Sequence, residues 1–109
     1  MVESMKRLHE ARNSHKKAIN KLYQAGEDKA QAEKDYKMAL AKELYRLRHE
    51  GQPATLCQDL ARGDGDVATL RMERDLAVSL YEVTLEKIRL LKSEIASIEK
   101  DIEYERKGI

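Results

Sequence analysis

At 109 residues the chain has room for one domain. Its 38% charged residues, with five tyrosines as the sole aromatics, suit solvated helices better than a globule with a large apolar centre. The 21 Lys/Arg and 20 Asp/Glu leave a formal charge of +1, which argues against a dedicated duplex-DNA binder, since such proteins carry a basic surface excess.

The N-terminal stretch MVESMKRLHEARNSHKK lacks the roughly 7–15-residue apolar core of a signal peptide. No run approaches the roughly 18 apolar residues of a membrane span. A cytoplasmic protein with no membrane partner is the expectation. The first predicted element is a long helix over residues 2–50, which holds no proline and a single glycine, Gly26. Alanines recur every seven residues, at Ala11, Ala18, Ala25, Ala32 and Ala39. Seven residues are two helical turns, so these alanines form one stripe and let a partner helix approach closely. Gly26 is the weak point, where a bend or fraying is expected, because glycine costs about 1 kcal/mol against alanine in a helix.

The connector, EGQPATLCQDLARGDGD, holds the only proline, the only cysteine and three of the five glycines. It is long for a bundle connection, which usually takes roughly 2–8 residues. Pro53 suits the first turn of a helix, Gly63 suits a C-cap, and apolar residues recur between them. The spacing predicts a short helix over 53–62, with Leu56 and Leu60 covering Leu47 and Leu70 at the tip of a hairpin.

The last predicted element is a helix over 66–107, free of proline and glycine, with Asp66 as N-cap and Gly108 as its stop. Its seam alternates by four and three through Leu70, Arg74, Ala77, Tyr81, Thr84, Ile88, Leu91, Ile95, Ile98 and Ile102. That is a coiled-coil pattern sustained over several heptads.

The two long helices are expected to pair antiparallel. The chosen register sets Leu47 opposite Leu70, Leu40 opposite Ala77, Tyr36 opposite Tyr81, Leu22 opposite Ile95, Ile19 opposite Ile98 and His15 opposite Ile102. It also pairs Glu43 with Arg74 and Arg12 with Glu105. Residues 1–21 hold six Lys/Arg against two Glu, and residues 94–105 hold five acids against one Lys, so antiparallel pairing lays opposite charges together. Leu76, Val78, Leu80, Val83, Leu85 and Leu90 extend the apolar surface of the last helix beyond what one partner can bury. The predicted fold is therefore all-α: a long two-helix coiled-coil hairpin with a short connector helix, assembling as a homodimeric four-helix bundle.

Motifs that would carry chemistry are weak. Arg62-Gly63-Asp64 is an RGD triplet, and three-residue matches arise by chance. Asp64, Asp66 and Asp75 fall at positions 1, 3 and 12 of a calcium loop. Thr69 replaces its glycine and Ala68 a ligand, so the loop fails. His9, His15 and His49 lack paired-ligand spacing. Cys57 has no partner for a disulfide, and its leucine neighbours suit a packed, inert thiol. No catalytic residue, metal ligand or cofactor site is expected, and the chain is read as a non-enzyme.

The stretches Y-K-M-A-L-A-K-E-L-Y-R-L-R from Tyr36, E-G-Q-P-A-T, D-L-A-R-G and V-A-T-L-R resemble small uncharacterised phage and prophage proteins of Gram-positive bacteria. The resemblance covers under half the chain and implies two helical arms around a similar connector. It also implies a binding role among replication, recombination or host-takeover functions, in the host cytoplasm, and it assigns no functional residue. The expected function is a non-catalytic protein-interaction module whose partner face draws on Leu56, Leu60, Arg62, Leu76, Leu80 and Leu85. The alternative is a nucleic-acid accessory protein using Lys6, Arg7, Arg12, Lys16, Lys17 and Lys21.

Overall fold

In the computed structural model, which describes residues 1–108, three helices follow one another: α1 (Val2–His49), α2 (Ala54–Arg62) and α3 (Gly65–Arg106). There is no strand among the described residues, and α1 and α3 pack against each other as an all-α helical hairpin. None of the helices is long and apolar enough to cross a membrane, among the described residues. Gly26 does not interrupt α1, which runs unbroken for 48 residues. The contacts divide the chain into two compact units. One joins Met1–Gln24 to the stretch from Tyr81 onward; the other is Ala25–Leu80.

In the terminal unit, Leu8 and Ala11 of α1 cluster with Ile98 and Ile102 of α3, and Ile95 packs at the edge. Ala18 is 1% exposed, as the small-residue stripe predicts. Ile98, also at 1%, is the largest side chain buried so completely among the described residues. Ion pairs flank this core. Arg7 lies 3.9 Å from Asp101, Arg12 lies 3.5 Å from Glu99, and the Met1 ammonium lies 3.1 Å from Glu105.

In the other unit the half-buried Arg74 organises the packing. Its guanidinium stacks 4.5 Å from the ring centre of buried Tyr36 and lies 3.6 Å from Glu33. Asp75 also binds it at 2.9 Å. Glu43, the partner expected for Arg74, is bound instead by Arg46 on its own helix, which also holds Glu50.

The faces are therefore as expected and the register is not. All ten seam positions of α3 are buried or half-buried. Yet Arg74 meets Tyr36 rather than Glu43, and Arg12 meets Glu99 rather than Glu105, a slip of about one heptad. Likewise Ile98 clusters with Leu8 and Ala11, while Ile19, its expected partner, is 36% exposed. The physical reason lies in the connector. Leu47 is covered by Cys57 and Ala61 of α2, so Leu70 is not needed opposite it.

Candidate functional site

The connector is built from helix termini. α1 ends where Gly51 takes a left-handed backbone with φ +88°. The Gly51 N–H donates to the Arg48 carbonyl (3.1 Å), and the Gln52 N–H donates to the Leu47 carbonyl (3.0 Å). These two bonds form a Schellman closure that satisfies carbonyls the last turn would otherwise leave open. Pro53 then stands as the N-cap of α2, extended at ψ 140°, one residue before the helix rather than inside its first turn. Its carbonyl accepts from Leu56 and Cys57. Gly63 caps α2 as expected, with its N–H on the Asp59 carbonyl, but in a right-handed conformation.

Asp64, not Asp66, caps α3: its Oδ2 accepts from the Val67 N–H at 3.2 Å. The helix begins one residue earlier than expected, at Gly65, which moves the cap to the residue preceding it. This use of its carboxylate also gives the aspartate of the Arg-Gly-Asp triplet a structural role.

α2 turns an unexpected face inward. Cys57 (3% exposed) and Ala61 (0%) are buried against Leu47, with Leu40 and Leu44 packed beside them. Leu56 (50%) and Leu60 (45%), which were expected to cover Leu47 and Leu70, face solvent instead. The small Cys57–Ala61 pair, one turn apart, lets α2 lie close to α1, where two leucines would hold it off. Cys57 is a packed thiol whose Sγ approaches the Gln52 carbonyl at 3.7 Å. His49 stacks on the ring of Tyr45, with centroids 6.1 Å apart.

Of the other residues expected on a partner face, Arg62 and Leu76 line one groove of about 360 Å³ together with Ala68, Arg71, Met72, Asp75 and Ser79. Leu80 is exposed on α3 outside this groove. Leu85 is half-buried and does not belong to an exposed face, and Val78 is likewise half-buried. Met72, outside the expected partner face, is 56% exposed in the groove. Its spacing of four residues before Leu76 is the signal that marks it.

The six basic residues near the N-terminus are all exposed. Arg7 and Arg12 are engaged with Asp101 and Glu99, whereas Lys6, Lys16, Lys17 and Lys21 make no ion pair among the described residues. Lys6, Lys17 and Lys21 fall within roughly 60° of the α1 surface, and Glu3 and Glu10 share that arc. The surface is of mixed sign. In the same unit, a trough of about 930 Å³ has Leu8 and Ile102 among its lining, with Arg12 and Arg106 set beside Glu99 and Glu103.

His15 does not face Ile102, which belongs to the Leu8 cluster, and its Nε2 is buried without a hydrogen-bond partner. No group of three or more His, Cys, Asp or Glu side chains is arranged to hold a metal ion among the described residues. No family model, curated protein or solved structure matches the chain.

Proposed function

We propose that the protein is a non-catalytic helical interaction module that offers the outer face of α2 to a protein partner. The observation that carries this reading is the inversion of α2: Leu56 and Leu60 stand in water while Cys57 and Ala61 hold the helix in place. Two leucines four residues apart on a short anchored helix are the anchors by which such a face enters an apolar groove. Because each leucine leaves about half of its surface in water and lies outside the Leu47 cluster, both are available to a partner. Arg62, on the same helix, supplies a flanking charge. On the phage resemblance, the partner is a host or phage protein of replication or defence, met in the host cytoplasm.

The test is a pull-down with the intact protein against the Leu56→Ser/Leu60→Ser variant, with circular dichroism on both. The reading requires a partner that the variant loses while its helicity and melting stay unchanged. A partner retained equally by the variant would overturn it.

A second reading, nucleic-acid binding through the N-terminal basic residues, is favoured by one observation: four of the six cations are not engaged by acids. Phosphate binding of this kind would be strongly salt-dependent. Retention of DNA or RNA at low salt, abolished by Lys16→Glu/Lys17→Glu/Lys21→Glu, would establish it. No retention at low salt would dismiss it.

A further inference from the structure

α3 is apolar on two opposite sides. One side is the seam to α1. Roughly 180° round the same helix, Met72, Leu76, Ser79, Val83, Glu86 and Leu90 recur at intervals of four and three, a second heptad seam. Its large apolar members are all in water: Met72 is 56% exposed, Leu76 62%, Val83 64% and Leu90 64%, with Leu80 beside them at 56%. A helix that carries a seam on each side is built for a partner on each side.

We propose that this outer seam pairs with the same seam of a second copy of the chain, antiparallel, about a twofold axis near residue 81. In that register Met72 meets Leu90, Leu76 meets the stem of Glu86, whose carboxylate stays with Arg89 at the edge, and Ser79 meets Val83, each occurring twice by symmetry.

The flanking charges agree with it. Glu73 falls beside Lys87 of the other copy, and Asp75 beside Arg89. Glu73 and Lys87 make no ion pair within the chain among the described residues, so both are available. Leu80 meets its own counterpart across the axis. Glu82 does the same and is a like-charged pair, as is Asp66 beside Glu94 further out on the same helices. A parallel pairing would instead bury Glu86 against itself in the seam, a clash that the antiparallel arrangement avoids.

The area is sufficient. Five side chains per copy, at about 100 Å² of apolar surface each, bring the pair close to 1,000 Å² before the stems of Lys87 and Arg89 are added. A specific interface needs about that much, so a dimer that dissociates on dilution is expected.

Sedimentation equilibrium of the full chain between about 5 and 500 µM is the test. The mass should rise from 12.6 kDa towards twice that value with concentration. Leu76→Glu and Val83→Glu should each raise the dissociation constant at least about tenfold with unchanged helicity, since both side chains face solvent in the single chain. Lys87→Glu should weaken the dimer about threefold, and adding Glu73→Lys should restore it.

A 12.6 kDa species at every concentration would overturn the proposal. So would a dimer untouched by Leu76→Glu but lost in Leu60→Ser. Rescue of Lys87→Glu by Glu82→Lys instead of Glu73→Lys would overturn the antiparallel register, because those two positions meet only in a parallel pair.

Discussion

Replacing Arg74 by methionine tests how α1 and α3 are aligned within the Ala25–Leu80 unit. The change keeps most of the aliphatic stem and removes the guanidinium. Stacking on Tyr36 at 4.5 Å contributes about 0.5–1 kcal/mol at an exposed site and more when desolvated. The pair with Glu33 at 3.6 Å contributes about 0.2–1 kcal/mol as a solvent-screened contact. The contact with Asp75, the next residue along the same helix, does not join the two long helices. Arg74→Met should therefore lower unfolding free energy by about 1–2 kcal/mol in urea titrations followed by circular dichroism. A double-mutant cycle assigns the loss. Arg74→Met with Tyr36→Leu should show a coupling of about 0.5–1 kcal/mol, and Arg74→Met with Glu43→Gln should be additive within about 0.3 kcal/mol. Coupling to Glu43 with none to Tyr36 would refute the observed register and reinstate the one a heptad away.

Three further outcomes follow from the helix ends. Gly51→Ala should cost about 1–2 kcal/mol from its left-handed backbone alone, because an added Cβ meets nothing within 4 Å. Gly65→Ala, open and not left-handed, should be neutral or stabilise by about 0.5 kcal/mol, and urea titrations compare the two. Asp64→Ala should cost about 1 kcal/mol by the same assay while Asp66→Ala costs little; the reverse order would contradict the observed cap. The hydroxyl of Ser4 donating to Glu105, helped by the Met1 ammonium, holds that carboxyl below its ordinary value of 4.5. A carboxyl lowered in the folded state contributes stability that is fully present above pH 4.5 and is lost as pH falls through the lowered folded value. An NMR titration should show Glu105 moving up towards 4.5 in Ser4→Ala; an unmoved titration would mean the hydroxyl contributes nothing.

The elements, and the faces of α1 and α3, were legible because each rests on local information. The spacing of four and three in α3 specifies a face whatever packs on it, and the alanine period in α1 does the same. Glycine and proline bracket α2 to within a residue. Register is another kind of quantity. It depends on which side chains occupy the space at the closed end of the hairpin, and two heptad seams can slide by seven residues with every apolar stripe still matched. The opposite charges that favoured Glu43–Arg74 could not settle it either, because Arg46, one turn from Glu43 on α1, is a nearer cation that needs no partner helix.

The inversion of α2 and the register slip have the same origin. Sequence ranks Leu56 and Leu60 above Cys57 and Ala61 as core formers by size, and by burial energy alone that ranking holds. Against Leu47, the distance of closest approach decides instead. The small pair on the inner face lets α2 settle directly over Leu47, and the last turn of α1 then has its cover without α3. The antiparallel match therefore shifts by about a heptad, bringing Arg74 to Tyr36 rather than Glu43. The two leucines displaced from the core remain on the surface of a helix whose position is already secured. That half-exposed apolar surface lies outside the Leu47 cluster, and this is the ground for proposing a partner for α2.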